Sequence, residues 1–260
     1  MTPASDSATE AQQEAVRVSD KVNSVRELFR RTDWYVNGWR TTIAIRTEIV
    51  HDFVGRQAPH SILDIGCGDG SVTIPLLTPA NRLTLLDLSD KMLAIARTKV
   101  PANLLDRVKF VNENVIEAPL TPQSFDLIVC VGVLAHVDSP EALISRICEL
   151  LTPGGTIVVE CSDAQHFLTK LSSIRARIVR MLKPPSYVTN KISSAWVIDR
   201  FQKSNFVLSG SYRHTFSIPL ISRFITPDQS HAAIRTVFGD GGRNKNSWLG
   251  NQCIFSFRRN

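Results

Sequence analysis

Residues 61–77 read SILDIGCGDGSVTIPLL, and the residues able to do chemistry cluster there. Asp64 stands two positions before the first of three alternating glycines, Gly66, Gly68 and Gly70. Glycine tolerates positive φ and lets a ligand approach backbone N–H groups that a Cβ would screen. A short apolar run, this turn and a renewed apolar pattern predict strand, turn and helix. That order gathers N–H groups at the strand's carboxyl end. The spacing is not the dinucleotide G-x-G-x-x-G, because position 71 is Ser and the third glycine falls at 70. A carboxylate at 64 would repel a pyrophosphate but suits a ligand carrying an ammonium and a sulfonium. Ser71 and Asp64 together argue against a nicotinamide-dependent dehydrogenase.

Strands and helices must alternate to position such a turn, and the hydrophobic pattern supplies them. Strands are expected at Ser61–Ile65, Arg82–Asp87, Val108–Asn112, Phe125–Val131, Thr156–Cys161, Phe206–Tyr212 and Gln252–Phe257. Helices are expected at Asp90–Lys99, Pro140–Leu151 and Ser193–Ser204. Ser89 or Asp90 offers a cap for the first of these. Thr152-Pro153-Gly154-Gly155 should stop the second. Pro75 is awkward inside the helix expected after the glycine turn, which then starts no earlier than Ser71 or Val72. Upstream, helical patterns begin at Val22 and again around Ile43–Phe53, separated by Trp34, Tyr35 and Trp39. The resulting expectation is an α/β fold, a doubly wound, mostly parallel sheet. Residues 1–21 form a disordered tail, 22–58 an N-terminal helical lid, and 59–260 the main domain with a cap insertion at about 162–192.

Asp87 ends the second strand, where a carboxylate can accept both hydroxyls of a ribose. The pattern apolar-Asp-x-Gly-x-Gly-x-Gly, with an acidic residue ending strand two, resembles the class I S-adenosylmethionine-dependent methyltransferases over about residues 40–162. The segments LDIGCG, FVNENVIE, CVGVLAHV and LTPGGTIVVE resemble those of the ubiquinone-biosynthesis O-methyltransferases in particular. The resemblance implies a Rossmann-like, seven-stranded sheet and S-adenosylmethionine as cofactor. It also implies cofactor contacts at Asp64, Gly66, Cys67 and Gly68, and puts the ribose on Asp87. Leu88 and Met92 then pack on the adenine, and Asn114, beside Val115, takes the place near the adenine amine. The backbone at Val131 and Gly132 lines the methionine end. That family also carries a cofactor-contacting Arg 20 positions before its first glycine, where this chain has Arg46. Such an Arg can pair with the cofactor's carboxylate.

The remaining chain bears on the methyl acceptor. The net charge is +6, but residues 1–162 carry 15 basic and 20 acidic side chains, whereas 163–260 carry 15 and 4. The stretch HFLTKLSSIRARIVRMLK places Phe167, Leu171, Ile174, Ile178 and Met181 on one helical face beside five uninterrupted cations, Lys170, Arg175, Arg177, Arg180 and Lys183. Cationic amphipathic helices lie in membrane interfaces, so residues 164–183 are expected to contact an anionic membrane peripherally. No secretory leader and no apolar run of spanning length is visible, and five cysteines without a C-x-x-C suit a reducing, cytoplasmic setting.

His136, just after strand four, is the candidate base for an acceptor hydroxyl; His166, His214 and His231 are alternatives. There is no Asn/Asp-Pro-Pro-Tyr, which disfavours methylation of nucleic-acid bases. The expected activity is methyl transfer to a small hydroxyl compound, lipophilic or aromatic. A tetrapyrrole carboxyl, a sugar hydroxyl, or a non-catalytic cofactor-binding module are the alternatives. No metal ligand set is predicted.

Overall fold

The computed structural model describes residues 40–55, 57–170, 189–215 and 226–259. The expected tail, most of the lid before Arg40 and residues 171–188 of the cationic stretch lie outside the described residues.

The helices, in chain order, are α1 (Arg40–Val54), α2 (Asp90–Lys99), α3 (Pro140–Leu150), α4 (Ser194–Lys203) and α5 (Pro227–Phe238). The strands are β1 (Ser61–Ile65), β2 (Arg82–Leu86), β3 (Val108–Val111), β4 (Phe125–Cys130), β5 (Leu151–Ser162), β6 (Phe206–His214), β7 (Gly239–Asp240), β8 (Arg243–Asn244) and β9 (Gln252–Arg259). Seven of them form one sheet in the order β3-β2-β1-β4-β5-β9-β6, and β7 pairs with β8 separately. β3, β2, β1, β4 and β5 run parallel, while β9 is antiparallel to both β5 and β6. The doubly wound, mostly parallel seven-stranded sheet expected from the sequence is therefore present.

Strand periodicity sorts the core. In β4, Leu127 and Val129 face one layer, while Ile128 and Cys130 face the other. The first layer includes Ile45, Ile49 and Val50 of α1, Leu93 and Ala96 of α2 and Ile234 and Phe238 of α5. The second includes Leu143, Ile144 and Ile147 of α3 with Val197 and Phe201 of α4. α1 thus covers a sheet face with four fully or nearly fully buried side chains, Ile45, Ile49, Val50 and Val54. At about 1.5–3 kcal/mol per large aliphatic side chain, that burial is ample reason for α1 to dock.

Helix starts follow the capping residues. The Ser89 hydroxyl accepts from the Met92 N–H, Ser139 from Ala142 and Ser193 from Trp196. Thr226 and Gln229 form a reciprocal capping box.

Two local expectations fail. After the glycine turn there is no α-helix, only a 3₁₀ turn at Ile74–Leu76. Pro75 fits an early turn position but Pro79 forbids extension. The Asn81 side chain then ties the segment down: its Nδ2 donates to Leu76 O at 2.9 Å and its Oδ1 accepts from Thr78 N at 2.9 Å. Nor does Thr152–Gly155 end α3. Leu151 is already extended, at φ −78° and ψ 136°. Pairing jumps from Phe125↔Leu151 to Leu127↔Thr156, so Pro153-Gly154-Gly155 is a bulge at the start of β5.

Candidate cofactor site

The sheet order reverses direction between β1 and β4, which places a crevice at their carboxyl ends. The glycine turn occupies one wall. Gly66, Gly68 and Gly70 have φ of 68°, 55° and 72°, a left-handed conformation that explains the three glycines. At Gly66 a Cβ would also lie 2.4 Å from Val133 Cγ2, in the loop after β4. Those two loops therefore touch only because Gly66 lacks a side chain. Gly66 and Cys67 donate their N–H groups to Leu86 O, and the Cys67 thiol donates to Gly68 O.

Asp87 anchors this wall. Its Oδ2 accepts from Gly68 N at 2.8 Å and its Oδ1 from Ser89 N at 2.8 Å. Asn112 Nδ2 in turn donates to Asp87 O at 2.9 Å. Burial pushes the Asp87 carboxyl above its usual range, against the pull of those N–H groups. Each carboxylate oxygen keeps further lone-pair capacity, the acceptor set a ribose diol needs.

Asp64 is buried below the turn, and the Thr73 hydroxyl donates to its Oδ2 at 2.6 Å. Burial raises its pKa to about 7, with Asp87 and Asp69 adding in the same direction. Asp69 is itself buried and pairs with Lys99, whose Nζ also donates to Ser71 Oγ at 2.8 Å. α2 thereby clamps the glycine turn from outside.

The opposite wall is the loop after β4. Gly132 has φ 74°, and a Cβ there would lie 2.8 Å from Arg46 Nη2 and 3.1 Å from Arg46 Cζ. The Arg46 guanidinium is thus seated over Gly132, with Val131 buried beside it. Arg46 Nη2 lies 2.6 Å from Glu160 Oε2, and both side chains are buried.

The residues expected on the adenine side follow the carboxyl ends of β2 and β3. Met92 is buried and Leu88 half-buried next to Ser89. Asn114 makes an Asx turn, its Oδ1 accepting from Ile116 N at 3.2 Å. Val115 is buried, and Arg146 of α3 pins the segment by donating to the carbonyls of Val115, Ala118 and Leu120.

His136 lies in the loop after β4, its N–H donating to Val133 O at 2.7 Å. Asn190 holds this loop from outside, with N–H to Ala135 O at 2.8 Å and Nδ2 to Val137 O at 2.6 Å. The alternative histidines are placed differently. His166 has both ring nitrogens engaged, Nδ1 accepting from Leu168 N and Nε2 meeting Trp248 O at 2.8 Å. His231 faces Glu48 between α5 and α1. His214 is fully buried, and burial lowers its pKa.

Sequence reasoning misses Glu160, the Asp69–Lys99 clamp, Arg146, and a polar hub at the far end of β5. There Asp163 Oδ2 accepts from Ser194 Oγ at 2.6 Å and lies 3.2 Å from Arg213 Nη1, and Oδ1 accepts from Gln165 N and Ser194 N. Glu160 and Asp163 did leave a trace, as carboxylates closing the apolar run TIVV. Their partners leave none.

The crevice fits S-adenosylmethionine on its own residues: an acceptor carboxylate at one wall, a guanidinium at the other, and glycine backbone between. The comparisons agree. A methyltransferase-domain family profile matches residues 63–159. The ubiquinone biosynthesis O-methyltransferase of Xylella fastidiosa is 26% identical over 157 residues, 58% of this chain and 63% of that protein. The trans-aconitate 2-methyltransferase of Paracidovorax citrulli is 31% identical over 137 residues, 50% of this chain and 51% of that protein. The chain therefore spans less than two thirds of these relatives' length. Magnesium protoporphyrin IX methyltransferase of Synechocystis PCC 6803, solved with bound SAH, shares the fold at a TM-score of 0.61 and 17% identity, covering 92% of this chain and 100% of that one. Residues 63–159 carry a methyltransferase domain, and its glycine turn and sheet order are those of the class I S-adenosylmethionine-dependent methyltransferase fold.

Proposed function

We propose that the protein transfers a methyl group from S-adenosylmethionine to a hydroxyl of a small lipophilic or aromatic compound. The observation that carries the cofactor half is the opposition of Asp87 and Arg46 across the glycine turn. When bound, the cofactor supplies an activated methyl group on a sulfonium that leaves as a thioether.

The chain's own residues do the rest. Asp87 accepts the ribose hydroxyls and, through the Gly68 N–H, keeps the turn in register. Arg46 takes the carboxylate, and Asp64 supplies negative potential beneath the ammonium end. Leu88, Met92 and Val115 cover the adenine, whose edge meets Asn114. The Cys67, Gly66 and Val131 backbone completes the wall. His136 takes the acceptor's hydroxyl proton at a ring nitrogen as the new bond forms. The lid of residues 22–58 supplies Arg46, and the cap insertion at about 162–192 shields the acceptor. Phe167 and Trp248, 51% and 67% exposed, offer that side an apolar rim. They also favour peripheral contact of 164–183 with an anionic, cytoplasmic membrane face. Among the described residues no helix is long and apolar enough to cross a membrane.

Calorimetry with S-adenosylmethionine and NADH tests the first half: binding of NADH alone sinks it. A methyl-release assay on lipophilic phenols tests the second. Binding without turnover over a broad panel leaves a cofactor-binding module. The likeness to the magnesium protoporphyrin IX enzyme favours a second acceptor class, a tetrapyrrole carboxyl. A carboxylate has no proton to remove, so His136→Asn would leave its methylation intact while slowing hydroxyl methylation by about a hundredfold or more.

A further inference from the structure

Neither the glycine turn nor the sheet order accounts for the Arg46–Glu160 pair. Both side chains are almost fully buried, at 8% and 2% exposure, and they come from α1 and β5. Such a pair contributes little to stability compared with apolar side chains of equal volume. Its satisfaction is also incomplete: Arg46 Nε and both Glu160 carboxylate oxygens are buried without a hydrogen-bond partner, so the 2.6 Å contact is an ion pair rather than a formed hydrogen bond. Stability is therefore a poor reason for it.

Orientation is a better one. An Arg side chain carries about 2 kcal/mol of rotamer entropy, and fixing it before a ligand arrives removes that cost from binding. Here it is fixed from two directions. Glu160 meets Nη2 from β5, and the bare backbone of Gly132 seats the guanidinium at the end of β4. Glu160 is itself held in the ladder opposite Ile254. His214 borders both charges, and its burial disfavours a third charge there.

We infer that Glu160 is a positioning residue: it holds the Arg46 guanidinium over Gly132, so that its other N–H groups can take the cofactor's α-carboxylate. The inference rests on the cofactor reading above and adds Glu160 to it.

The test compares two nucleosides by calorimetry. S-adenosylhomocysteine carries the amino-acid ammonium and carboxylate; 5′-methylthioadenosine has the same adenosine and sulfur but lacks both. The wild-type chain should prefer the first by about a hundredfold or more, of which the carboxylate contact with Arg46 is worth about tenfold. Glu160→Ala should lower that preference about tenfold while methylthioadenosine affinity stays within about twofold. Glu160→Gln, which keeps an oxygen facing Nη2 at the same place, should keep it. A merely structural role would weaken both ligands together.

An unchanged preference in Glu160→Ala overturns the inference, as does a loss in Glu160→Gln equal to that in Glu160→Ala. If Glu160→Ala does not fold, Gly132→Ala decides: its Cβ fills the seat while the carboxylate stays, and an unchanged preference again overturns the inference. Failure of the wild-type chain to bind either nucleoside would sink the cofactor reading instead.

Discussion

The two halves of the crevice are built on opposite principles. On the β1–β2 side, carboxylates mostly hold backbone N–H groups of the glycine turn and its flanks: Asp87 those of Gly68 and Ser89, and Asp69 that of Ser71, with the Asp64–Thr73 and Lys99–Asp69 side-chain contacts behind them. On the β5–β9–β6 side they are side chain to side chain across long stretches. Arg46 meets Glu160, Asp163 meets Ser194 and Arg213, and Ser162 meets Gln252. The first side presents a fixed set of N–H groups to a ligand that is the same throughout a large family. The second ties together segments that came from different parts of the chain, the side on which the variable acceptor is proposed to bind. Damage to the first should therefore be read out in ligand affinity, as should loss of Glu160 acting through Arg46, and damage to the Asp163 hub in stability.

The largest test of that division is Asp87→Ala. It removes the acceptor for the Gly68 and Ser89 N–H groups and the one proposed for the ribose hydroxyls, and S-adenosylhomocysteine affinity should fall by about a hundredfold or more by calorimetry. A drop in stability without a drop in affinity would erase the distinction.

Asp163→Ala is the counterpart. It strands the Arg213 guanidinium and removes the acceptor for two backbone N–H groups and the Ser194 hydroxyl. Chemical denaturation should show a loss of about 3 kcal/mol with S-adenosylhomocysteine affinity unchanged within about twofold. Burial alone would raise the Asp163 pKa, but its bonds to Ser194, Gln165 and Arg213 outweigh burial and lower it. A depressed folded-state pKa stabilises above the unfolded value of 3.8, and that stability is lost as pH falls through the lower folded one. The variant should accordingly lose acid dependence in that range.

Asp64 has the opposite sign, which sharpens the comparison. Its folded-state pKa, about 7, is above the unfolded 3.8 because of burial. Its contribution is full below 3.8 and declines as pH rises to about 7. Asp64→Asn keeps an acceptor for Thr73 and should be more stable than wild type at pH 8, by about 2 kcal/mol, with the gap closing at pH 4. Equal gaps at both pH values would contradict a buried, proton-sharing Asp64.

The smallest effect is expected at Gly154, which has φ 77° but nothing within 4 Å of an added Cβ. Gly154→Ala should cost about 1 kcal/mol of stability from backbone strain alone and leave affinity untouched. Gly132, at nearly the same φ, differs only in what a Cβ would meet.

Legibility divides along the same line. Asp64, Gly66, Gly68, Gly70 and Asp87 were readable because glycine at positive φ and an acidic residue ending a strand are local requirements, visible as residue type and spacing. α2 was readable from its cap, for which Ser89 or Asp90 was offered and which is Ser89. The missing first helix was less so, since Pro75 alone is compatible with an early helical turn and the decision fell to Pro79 and the Asn81 staple. The β5 bulge was misread as a helix stop, because Pro-Gly-Gly suits either. Arg46 was visible only by its distance from Gly66; that it sits over Gly132 and faces Glu160 was not.

The sequence by itself determined the alternation of strands and helices, the left-handed glycine turn and the acidic residue at the end of β2, because backbone conformation and strand periodicity are set within a few neighbouring residues. The tertiary structure decided which charges meet: Arg46 with Glu160, Lys99 with Asp69, and Arg213 with Asp163. Pairing across the sheet depends on strand order and register, and on which layer each side chain enters. Those are settled only when all seven strands have found their neighbours.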